Sequence, residues 1–367
     1  MSGTSLDGID GVLVDFTPTA EARLRVLAHR RGPLPAALKA ELLALNRSSA
    51  DEIHRGALAA NALARSYADV VAALLAAAPV SAGEVVAIGC HGQTVRHRPG
   101  EFDGVGYSIQ LNAPALLAEW TGIDVVADFR SRDVAAGGQG APLVPAFHQA
   151  AFGDTGRALA VLNLGGIANL TSIDAGGRVV GFDSGPANAL LDLWCAESTG
   201  ASFDAAGTWA ATGAMDARLL ASMSDEPYFA LPAPKSTGRD LFHRSWLDRH
   251  LQLADAGRLR AEDIQATLAE LTASTCAAAV RRDAAGAAEL IVCGGGSRND
   301  DLMARLRRRL APLPVVDSDE RGLPAEQVEA AAFAWLARQF TDRQPASLPT
   351  VTGAAGARVL GALYPAR

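Results

Sequence analysis

The sequence is short of lysine and has no paired cysteines, and each shortage excludes a class of site. Only two of its 33 basic residues are lysine, Lys39 and Lys235, and neither follows a glycine. A P-loop ends in Gly-Lys-Ser/Thr, so that route to phosphate binding is excluded. The Gly-x-Gly-x-x-Gly fingerprint of dinucleotide-binding proteins is also missing. The four cysteines are scattered, with no Cys-x-x-Cys motif, which predicts free thiols and a cytoplasmic location.

A basic charge balance and a long apolar run are missing too. The chain has 33 Lys and Arg against 40 Asp and Glu, a formal net charge of −7, which argues against a nucleic-acid partner. The longest apolar run, residues 70–80, is too short to span a bilayer and contains Pro79, so no membrane partner is expected. No basic, apolar leader is recognisable at the amino end, and we expect no signal peptide. A length of 367 residues allows about two domains.

Strand and helix patterns alternate along the chain, which predicts an α/β class. Each half opens with a strand pair joined by a turn rich in Gly, Thr or Asn. The pairs are residues 9–16 with 24–28 and residues 158–164 with 169–173. Strands interleaved with helices follow in both halves, so we expect two related lobes. The Gly- and Pro-rich stretch 131–145 is the expected junction between them.

Five glycine-bearing turns stand at the ends of predicted strands. They are residues 1–8, 90–94, 163–169, 181–188 and 293–299. Glycine lets backbone approach a ligand closely, and backbone N–H groups can hold phosphate without lysine. Each turn taken alone is more simply a tight turn. The five together favour a nucleotide site.

Asp183 is the most informative single residue, because it follows an apolar strand in Gly-Phe-Asp-Ser-Gly-Pro. A carboxylate at that end of a strand faces the crevice where α/β proteins bind ligands. There it could act as a general base if burial raised its pKa. The alternative is an Asx-turn or a helix cap, since Pro186 suits a helix start. The spacing does not decide between the two.

Three further charged residues each admit two interpretations. Asp7 could orient magnesium through water or stabilise its turn. Arg130, in a dense charge cluster beside Gly137–Gly140, could hold an anionic substrate or lie in a solvated loop. Glu329, on an otherwise apolar helix, could bind a ligand in a cleft or extend into solvent.

Together these turns resemble the anhydro-N-acetylmuramic acid kinases, a family of the sugar kinase, heat-shock chaperone and actin superfamily. The resemblance runs nearly from end to end and includes long, irregular motifs. They are residues 1–8, 128–130, 137–145, 162–169, 182–186, 236–240, 293–299, 329–335 and 351–354.

The resemblance implies an α/β fold of two related lobes, each a five-stranded mixed sheet with flanking helices, around a central cleft, as in actin-like ATPases and ribonuclease H. The expected lobes are 1–129 plus 346–367 and 130–345. It also implies the ATP contacts, in three turns. These are Ser2, Gly3, Thr4, Ser5, Leu6, Asp7 and Gly8 in the first phosphate loop, Gly165, Gly166 and Asn169 in the second, and Gly294, Gly295 and Gly296 at the adenosine.

The family reaction uses ATP and Mg²⁺ and cleaves the 1,6-anhydro bond of 1,6-anhydro-N-acetylmuramic acid with water while phosphorylating the 6-oxygen. By resemblance, Asp183 is the general base, Arg130 and Glu329 contact the sugar, and a homodimer is possible. His91 and Gln93 receive no role. Two other functions stay open: an ordinary sugar kinase acting on a free hydroxyl, or an ATP-regulated binding protein.

The sequence departs from the family at its amino end. Members usually carry several apolar residues before the first Met-Ser-Gly-Thr, and here that Met is residue 1. Either the start is misassigned or the first strand is shortened. We expect upstream apolar residues to raise stability or ATP affinity.

Overall fold

We describe the fold from a computed structural model, which covers residues 1–3, 6, 8–19, 23–154, 156–238 and 241–366. In chain order the strands are β1 (Ile9–Asp15), β2 (Arg25–Gly32), β3 (Ile88–Gly89), β4 (Gln93–Pro99), β5 (Gly106–Leu111), β6 (Val125–Ala127), β7 (Leu159–Leu164), β8 (Ile167–Ile173), β9 (Val179–Pro186), β10 (Leu290–Cys293), β11 (Val315–Asp317) and β12 (Ala362–Tyr364).

The helices connect and cover these strands. They are α1 (Ala36–Ala44), α2 (Glu52–Ala77), α3 (Pro114–Thr121), α4 (Ser131–Val134), α5 (Val144–Phe152), α6 (Asn188–Thr199), α7 (Ala217–Ser224), α8 (Arg244–Leu253), α9 (Ala261–Asp283), α10 (Asp300–Leu310), α11 (Val328–Thr341) and α12 (Pro349–Thr352). The predicted mixed α/β class is confirmed.

The chain divides into two compact units, Met1–Ala151 with Gln327–Arg367, and Phe152–Glu326. These boundaries differ from the expected 129/130 and 345/346. Residues 130–151 and 327–345 lie with the first unit because α4 packs on β5 and α11 packs on β1 and β3. The stretch 131–145 is therefore no junction between the units.

The second unit is built on one five-stranded mixed sheet, in the order β11-β10-β7-β8-β9. β7 pairs antiparallel with β8, its predicted hairpin partner, and parallel with β10. The central strand β7 reads Leu-Ala-Val-Leu-Asn-Leu, and all of these residues except Asn163 are buried. A near-continuous apolar run is typical of a strand covered on both faces. α9 and α10 supply much of this cover.

Local signals explain why α10 begins and ends where it does. The Asn299 side chain accepts a hydrogen bond from the backbone N–H of Leu302 (2.9 Å), which satisfies one free donor of the first turn. Asp300 and Asp301 lie in that turn, and three arginines lie in the last one. Both charge placements complement the helix dipole.

The first unit does not form the single five-stranded sheet that the resemblance implied. Its described residues form three smaller sheets, β1-β2, β12-β6-β3 and β4-β5. β3 is only two residues long, although the sequence predicted a strand over 85–90. The hairpin strand β4, rich in polar and basic residues, was missed.

Helix α2 is long and apolar enough, by length and composition alone, to cross a membrane, and it is the one such helix in the part of the chain that the structure describes. Its buried face carries Leu63, Tyr67, Val70 and Leu74, and it packs on β1, β2 and α3. One buried stripe on a helix is the pattern of a core helix.

Candidate active site

Asp183 lies within β9, which continues to Pro186 before α6 begins at Asn188. The carboxylate therefore does not cap a helix, and that alternative is wrong. In the antiparallel ladder Asp183 is opposite Asn169 of β8. The strand pairing thus places an amide side chain directly beside the carboxylate.

Three donors hold the Asp183 carboxylate. Asn169 Nδ2 donates to Oδ1 (2.9 Å), and Ser236 Oγ and the Thr237 backbone N–H donate to Oδ2 (2.9 and 3.0 Å). Burial raises the pKa of Asp183, while these hydrogen bonds and the charge of Lys235 oppose the rise. The result is an oriented carboxylate with a raised proton affinity, which suits a general base.

The segment that carries Ser236 is itself fastened to β9. The Asp183 N–H donates to the carbonyl of Lys235 (3.2 Å), and Lys235 Nζ donates to the carbonyl of Tyr228 (3.0 Å). Tyr228 in turn donates its hydroxyl to the carbonyl of Asp183 (2.7 Å). Burial is the main cause that lowers the pKa of Lys235, to about 8. The sequence motif at 236–240 was recognised without a role, and its Arg239 and Asp240 lie outside the described residues.

Two of the predicted nucleotide turns meet in the second unit. Gly165 and Gly166 connect β7 to β8, and Gly294–Gly296 follow β10. Because β7 and β10 are parallel neighbours, both turns emerge at one edge of the sheet. A Cβ on Gly296 would lie 2.6 Å from the Cβ of Leu164. Gly294 has a φ of +81°, and a Cβ there would collide with Asn163. Only glycine fits this close approach.

The carbonyl groups of the Gly165–Gly166 turn accept hydrogen bonds from the start of α6. Asn188 N–H donates to Gly165 (3.0 Å) and Ala189 N–H to Gly166 (3.0 Å). The turn is thereby fixed to a helix N-terminus, an end whose dipole favours anions. Asn169, predicted as an ATP contact, donates a hydrogen bond from its side-chain amide to Asp183.

The predicted first phosphate loop is partly described. The buried hydroxyl of Ser2 forms a hydrogen bond with the hydroxyl of Tyr67 (2.7 Å), so it already has a partner within the first unit. Leu6 is buried with a φ of +54°, and its N–H donates to the carbonyl of Gly3 (3.2 Å). Gly8 lies against Arg31. The candidates Thr4, Ser5 and Asp7 lie outside the described residues.

Arg130, Glu329 and His91 come together in the first unit. Arg130 Nη2 lies 2.9 Å from His91 Nε2, and Nη1 donates to the carbonyl of Gly140 (2.7 Å). Burial lowers the pKa of Arg130 to about 10, although the negative charges of Glu329 and Asp133 act to raise it. Burial and the charge of Arg130 hold the pKa of His91 well below its usual range. His91 is therefore a neutral acceptor at pH 7, and Arg130 is the cation of this cluster.

Two residues near Arg130 and His91 received no role from the sequence. Asp133, a member of the charge cluster around Arg130, is fully buried and accepts hydrogen bonds from Gly140 N–H and Thr352 Oγ1 (2.8 Å each). The ring of Phe333 packs 4.5 Å from that of His91. No local signal marks Phe333, because it belongs to the apolar pattern of α11. The side-chain oxygen of Gln93 is buried without a hydrogen-bond partner among the described residues.

The described residues hold no group of three or more His, Cys, Asp or Glu side chains that could bind a metal ion. Mg²⁺ commonly keeps several waters and binds through one or two carboxylates plus substrate phosphates, so a protein cage is not required. Asp7, the carboxylate that could orient magnesium through water, lies outside the described part of the chain.

Comparisons with known proteins agree with one another. The sequence profile of the anhydro-N-acetylmuramic acid kinase family matches residues 1–366. The anhydro-N-acetylmuramic acid kinase of Bordetella petrii is 60% identical over 367 residues, covering 100% of this chain and 95% of its own. That of Albidiferax ferrireducens is 58% identical over 386 residues, covering 100% and 98%.

A solved ROK family glucokinase from Streptomyces griseus aligns at 14% identity with a TM-score of 0.35, covering 90% of this chain and 99% of its own. The family match over the whole chain and the high identity of the curated relatives are decisive. This chain belongs to the anhydro-N-acetylmuramic acid kinase family.

Proposed function

We propose that this enzyme converts 1,6-anhydro-N-acetylmuramic acid, ATP and water to N-acetylmuramic acid 6-phosphate and ADP, with Asp183 as the general base. Family membership gives the overall reaction, a step of cell-wall recycling. The observation that carries the assignment of the base is the three-donor arrangement around the Asp183 carboxylate. It fixes one carboxylate, with a raised pKa, at the edge of the sheet where the glycine turns emerge.

One general base is sufficient for the proposed reaction. A water molecule attacks C1 of the anhydrosugar and gives a proton to Asp183, and the bond between C1 and the 6-oxygen breaks. The released 6-oxygen attacks the γ-phosphorus of ATP, and the bond from that phosphorus to the β-γ bridging oxygen breaks, leaving ADP. General-base catalysis of this kind contributes about 10²–10⁴-fold.

The glycine turns support ATP binding by backbone rather than by lysine. The Gly165–Gly166 turn lies at the N-terminus of α6, and Gly294–Gly296 passes close to Leu164 where a side chain would collide. Glycine lets a phosphate approach the backbone of both turns closely, and the dipole of α6 favours an anion beside its first turn. Mg²⁺ supplies charge neutralisation on the phosphates when bound. We assign Gly165, Gly166 and Gly294–Gly296 to the nucleotide.

We assign Arg130 and Glu329 to the sugar. The substrate carries a lactyl carboxylate, which a buried guanidinium binds strongly. Arg130 is partly buried and its neighbour His91 is neutral, so the Arg130 guanidinium is the cation that this cluster offers to the substrate carboxylate. Glu329 can accept from a sugar hydroxyl or amide.

A reducing cytoplasm is the location that we propose. All four cysteines are buried and free. Thiols persist in that compartment, whereas secreted proteins form disulfides. A homodimer, which the resemblance suggests, is proposed likewise and is tested by light scattering.

ADP release tests the function against its alternatives. We expect turnover with 1,6-anhydro-N-acetylmuramic acid and little with N-acetylmuramic acid, whose 6-hydroxyl is free. Equal rates with the two sugars would show an ordinary sugar kinase. ADP release that is slow and independent of either sugar would show an ATP-regulated binding protein.

A further inference from the structure

The loop that follows the helical turn Pro227–Ala230 brings two of the three donors to the Asp183 carboxylate. Residues 231–238 contain no helix or strand, and Leu231 and Pro232 are exposed. A loop with few buried contacts opens more readily than the elements that it joins. The orientation of the carboxylate therefore depends on the contacts that hold this loop against β9.

The ammonium group of Lys235 closes this loop on itself. Its Nζ donates to the carbonyl oxygen of Tyr228 (3.0 Å) and to that of Phe229 (3.2 Å), seven and six positions earlier in the chain. It also lies 4.5 Å from the ring centroid of Tyr228 and 5.8 Å from that of Phe182. A charged donor forms stronger hydrogen bonds than a neutral one, and an aromatic face attracts a cation. All four contacts therefore depend on the charge of one side chain.

Both ends of the closed loop are bonded to Asp183. At one end, Tyr228 donates its hydroxyl to the carbonyl of Asp183 (2.7 Å). At the other end, the Asp183 N–H donates to the carbonyl of Lys235 (3.2 Å), and the next two residues, Ser236 and Thr237, donate to the carboxylate (2.9 and 3.0 Å). Because the Lys235 ammonium links the two ends, its release would let both donors move away from the carboxylate.

A second cation fixes one end of the loop to helix α9. Arg282 Nη1 donates to the carbonyl of Phe229 (3.2 Å), and its Cζ lies 5.8 Å from the ring centroid of Phe182. Arg282 Nε donates in turn to Asp283 (2.8 Å). Arg282 thus anchors Phe229 to α9, whereas Lys235 joins that anchored turn to the residues that reach the carboxylate.

We propose that Lys235 is a positioning residue for the general base: its ammonium group closes the loop 228–237 and so holds Ser236 and Thr237 against the Asp183 carboxylate. The inference rests on the proposed role of Asp183, but the closure is a property of the loop that is measurable without turnover. A displacement of about 1 Å in a reacting group costs about 10²-fold in rate. Loss of the closure should therefore slow the reaction although Lys235 takes no proton from the substrate.

The charge of Lys235 makes the closure depend on pH. Burial, and after it the charge of Arg282, lowers the pKa of Lys235 to about 8, whereas the charges of Asp283 and Asp183 act to raise it. The phenol of Tyr228 also faces the ammonium group. The ammonium acts in its protonated form, so the closure should be lost as the pH rises through this pKa. The plot of kcat against pH should therefore have an alkaline limb near pH 8.

Two substitutions and a matched control test the role of the ammonium group. Lys235→Met removes the charge, Lys235→Arg keeps a cation at every pH of the assay, and Lys39→Met changes the other lysine of the chain, in α1. We expect Lys235→Met to lower kcat by about 10²-fold and to remove the alkaline limb. Lys235→Arg should retain most of the kcat and move the limb to higher pH. Lys39→Met should match the wild type in both respects.

Hydrogen exchange measures the closure independently of turnover. The Asp183 N–H is bonded to Lys235 and the Thr237 N–H to the carboxylate. In Lys235→Met both amides should exchange at least about tenfold faster than in the wild type, because the loop that protects them opens more often. In Lys39→Met both should exchange at the wild-type rate.

Three results would overturn the proposal: unchanged exchange of these two amides in Lys235→Met, an unchanged kcat in that variant, or an alkaline limb that Lys235→Arg leaves in place. A wild-type enzyme that does not turn over 1,6-anhydro-N-acetylmuramic acid would overturn the proposed function instead. The exchange rates would then still decide whether Lys235 closes the loop.

Discussion

At the scale of single residues, Asp183 is defined by what surrounds it. A carboxylate that accepts three hydrogen bonds ordinarily has a lowered pKa. Here burial outweighs those bonds, and the pKa lies above the usual value of 3.8. The donors therefore fix the direction of the carboxylate while burial maintains its basicity, and a base needs both properties.

Asp183→Asn removes the base and keeps the size of the side chain. We expect kcat to fall by about 10²–10⁴-fold with little change in KM for either substrate, because the proton acceptor acts in the transition state. Steady-state ADP release measures both constants. Asp69→Asn, at an exposed position of α2, is the matched control. Retention of more than about a tenth of the wild-type kcat would remove Asp183 from the role.

Ser236→Ala removes one donor from Oδ2 of Asp183. Its hydrogen bond lowers the pKa of the carboxyl, so its loss should raise that pKa further. A base works when deprotonated, and activity is lost as the pH falls through its pKa. In the plot of kcat against pH, the acid limb of the variant should therefore move to higher pH. Ser236→Thr, which keeps the hydroxyl, should return the limb to its wild-type position. An unmoved limb would show that Ser236 has only a structural role.

The sequence located Asp183 but not the residues that hold it. A polar residue after an apolar strand is a local signal, whereas Ser236 lies 53 residues further along the chain. Asn169 was visible as part of a turn, but its contact with Asp183 depends on the register of β8 with β9. Long-range partners of this kind need the fold.

At the scale of elements, the glycine turns matter because two of them end neighbouring strands. β7 and β10 place the turns after Leu164 and Cys293 side by side. The turns were visible in the sequence as separate glycine runs. Their contact through Gly296 and Leu164 was not, since it follows from the strand order.

Gly295→Ala tests whether the second of these turns lies against the nucleotide. A Cβ on Gly295 meets no atom within 4 Å, so the substitution should leave the free energy of unfolding within about 0.5 kcal/mol of wild type. We expect a raised KM for ATP, because the added methyl group would face the ligand. Gly286→Ala, which is equally open and lies in another loop, should change neither quantity. An unchanged KM for Gly295→Ala would contradict the assignment.

The ion cluster between α9 and α10 makes stability depend on pH. Burial alone would raise the pKa of Glu270, but hydrogen bonds from Arg305 (2.6 Å) and Arg309 outweigh it and lower the pKa below 4.5. The cluster thus contributes stability above the unfolded pKa, which is lost as the pH falls through the folded one.

Glu270→Gln leaves Arg305 buried beside a neutral side chain. Arg305 keeps its ion pair with Asp301 (2.7 Å), so we expect a loss of about 2 kcal/mol in the free energy of unfolding at pH 7, because the hydrogen bonds from two arginines to a charged carboxylate are weakened. Urea denaturation at pH 7 and near pH 4 measures the effect. The difference between variant and wild type should shrink at the lower pH. A difference that is independent of pH would show that charge pairing is not its cause.

The sequence predicted the elements of the second unit better than those of the first. Residues 158–164, 169–173 and 290–293 were recognised as strands because their apolar runs are bounded by glycine or turn residues. In the first unit the run 85–90 pairs over only two residues, and β4 carries polar and basic side chains at both ends. Residues 131–145 looked like a linker because they lack periodicity, yet buried Asp133 ties this loop to Thr352.

At the scale of the whole molecule, two compact units carry different groups of the proposed machinery. Asp183 and the two adjoining glycine turns lie in the unit Phe152–Glu326, and Arg130, Glu329 and His91 lie in the other. The carboxyl-terminal residues return to the first unit, where β12 pairs with β6. The return of the chain end was expected from the resemblance, whereas the boundary at residue 327 depends on the packing of α11 on β1 and β3.

The central claim is that water opens the anhydro ring while the freed 6-oxygen takes the phosphoryl group. The reaction run in ¹⁸O-labelled water, followed by mass spectrometry of the sugar phosphate, tests it most directly. We predict one heavy oxygen per product molecule, located at C1, with an unlabelled phosphoryl group. A product without the label at C1, or with the label in the phosphate, would contradict the account.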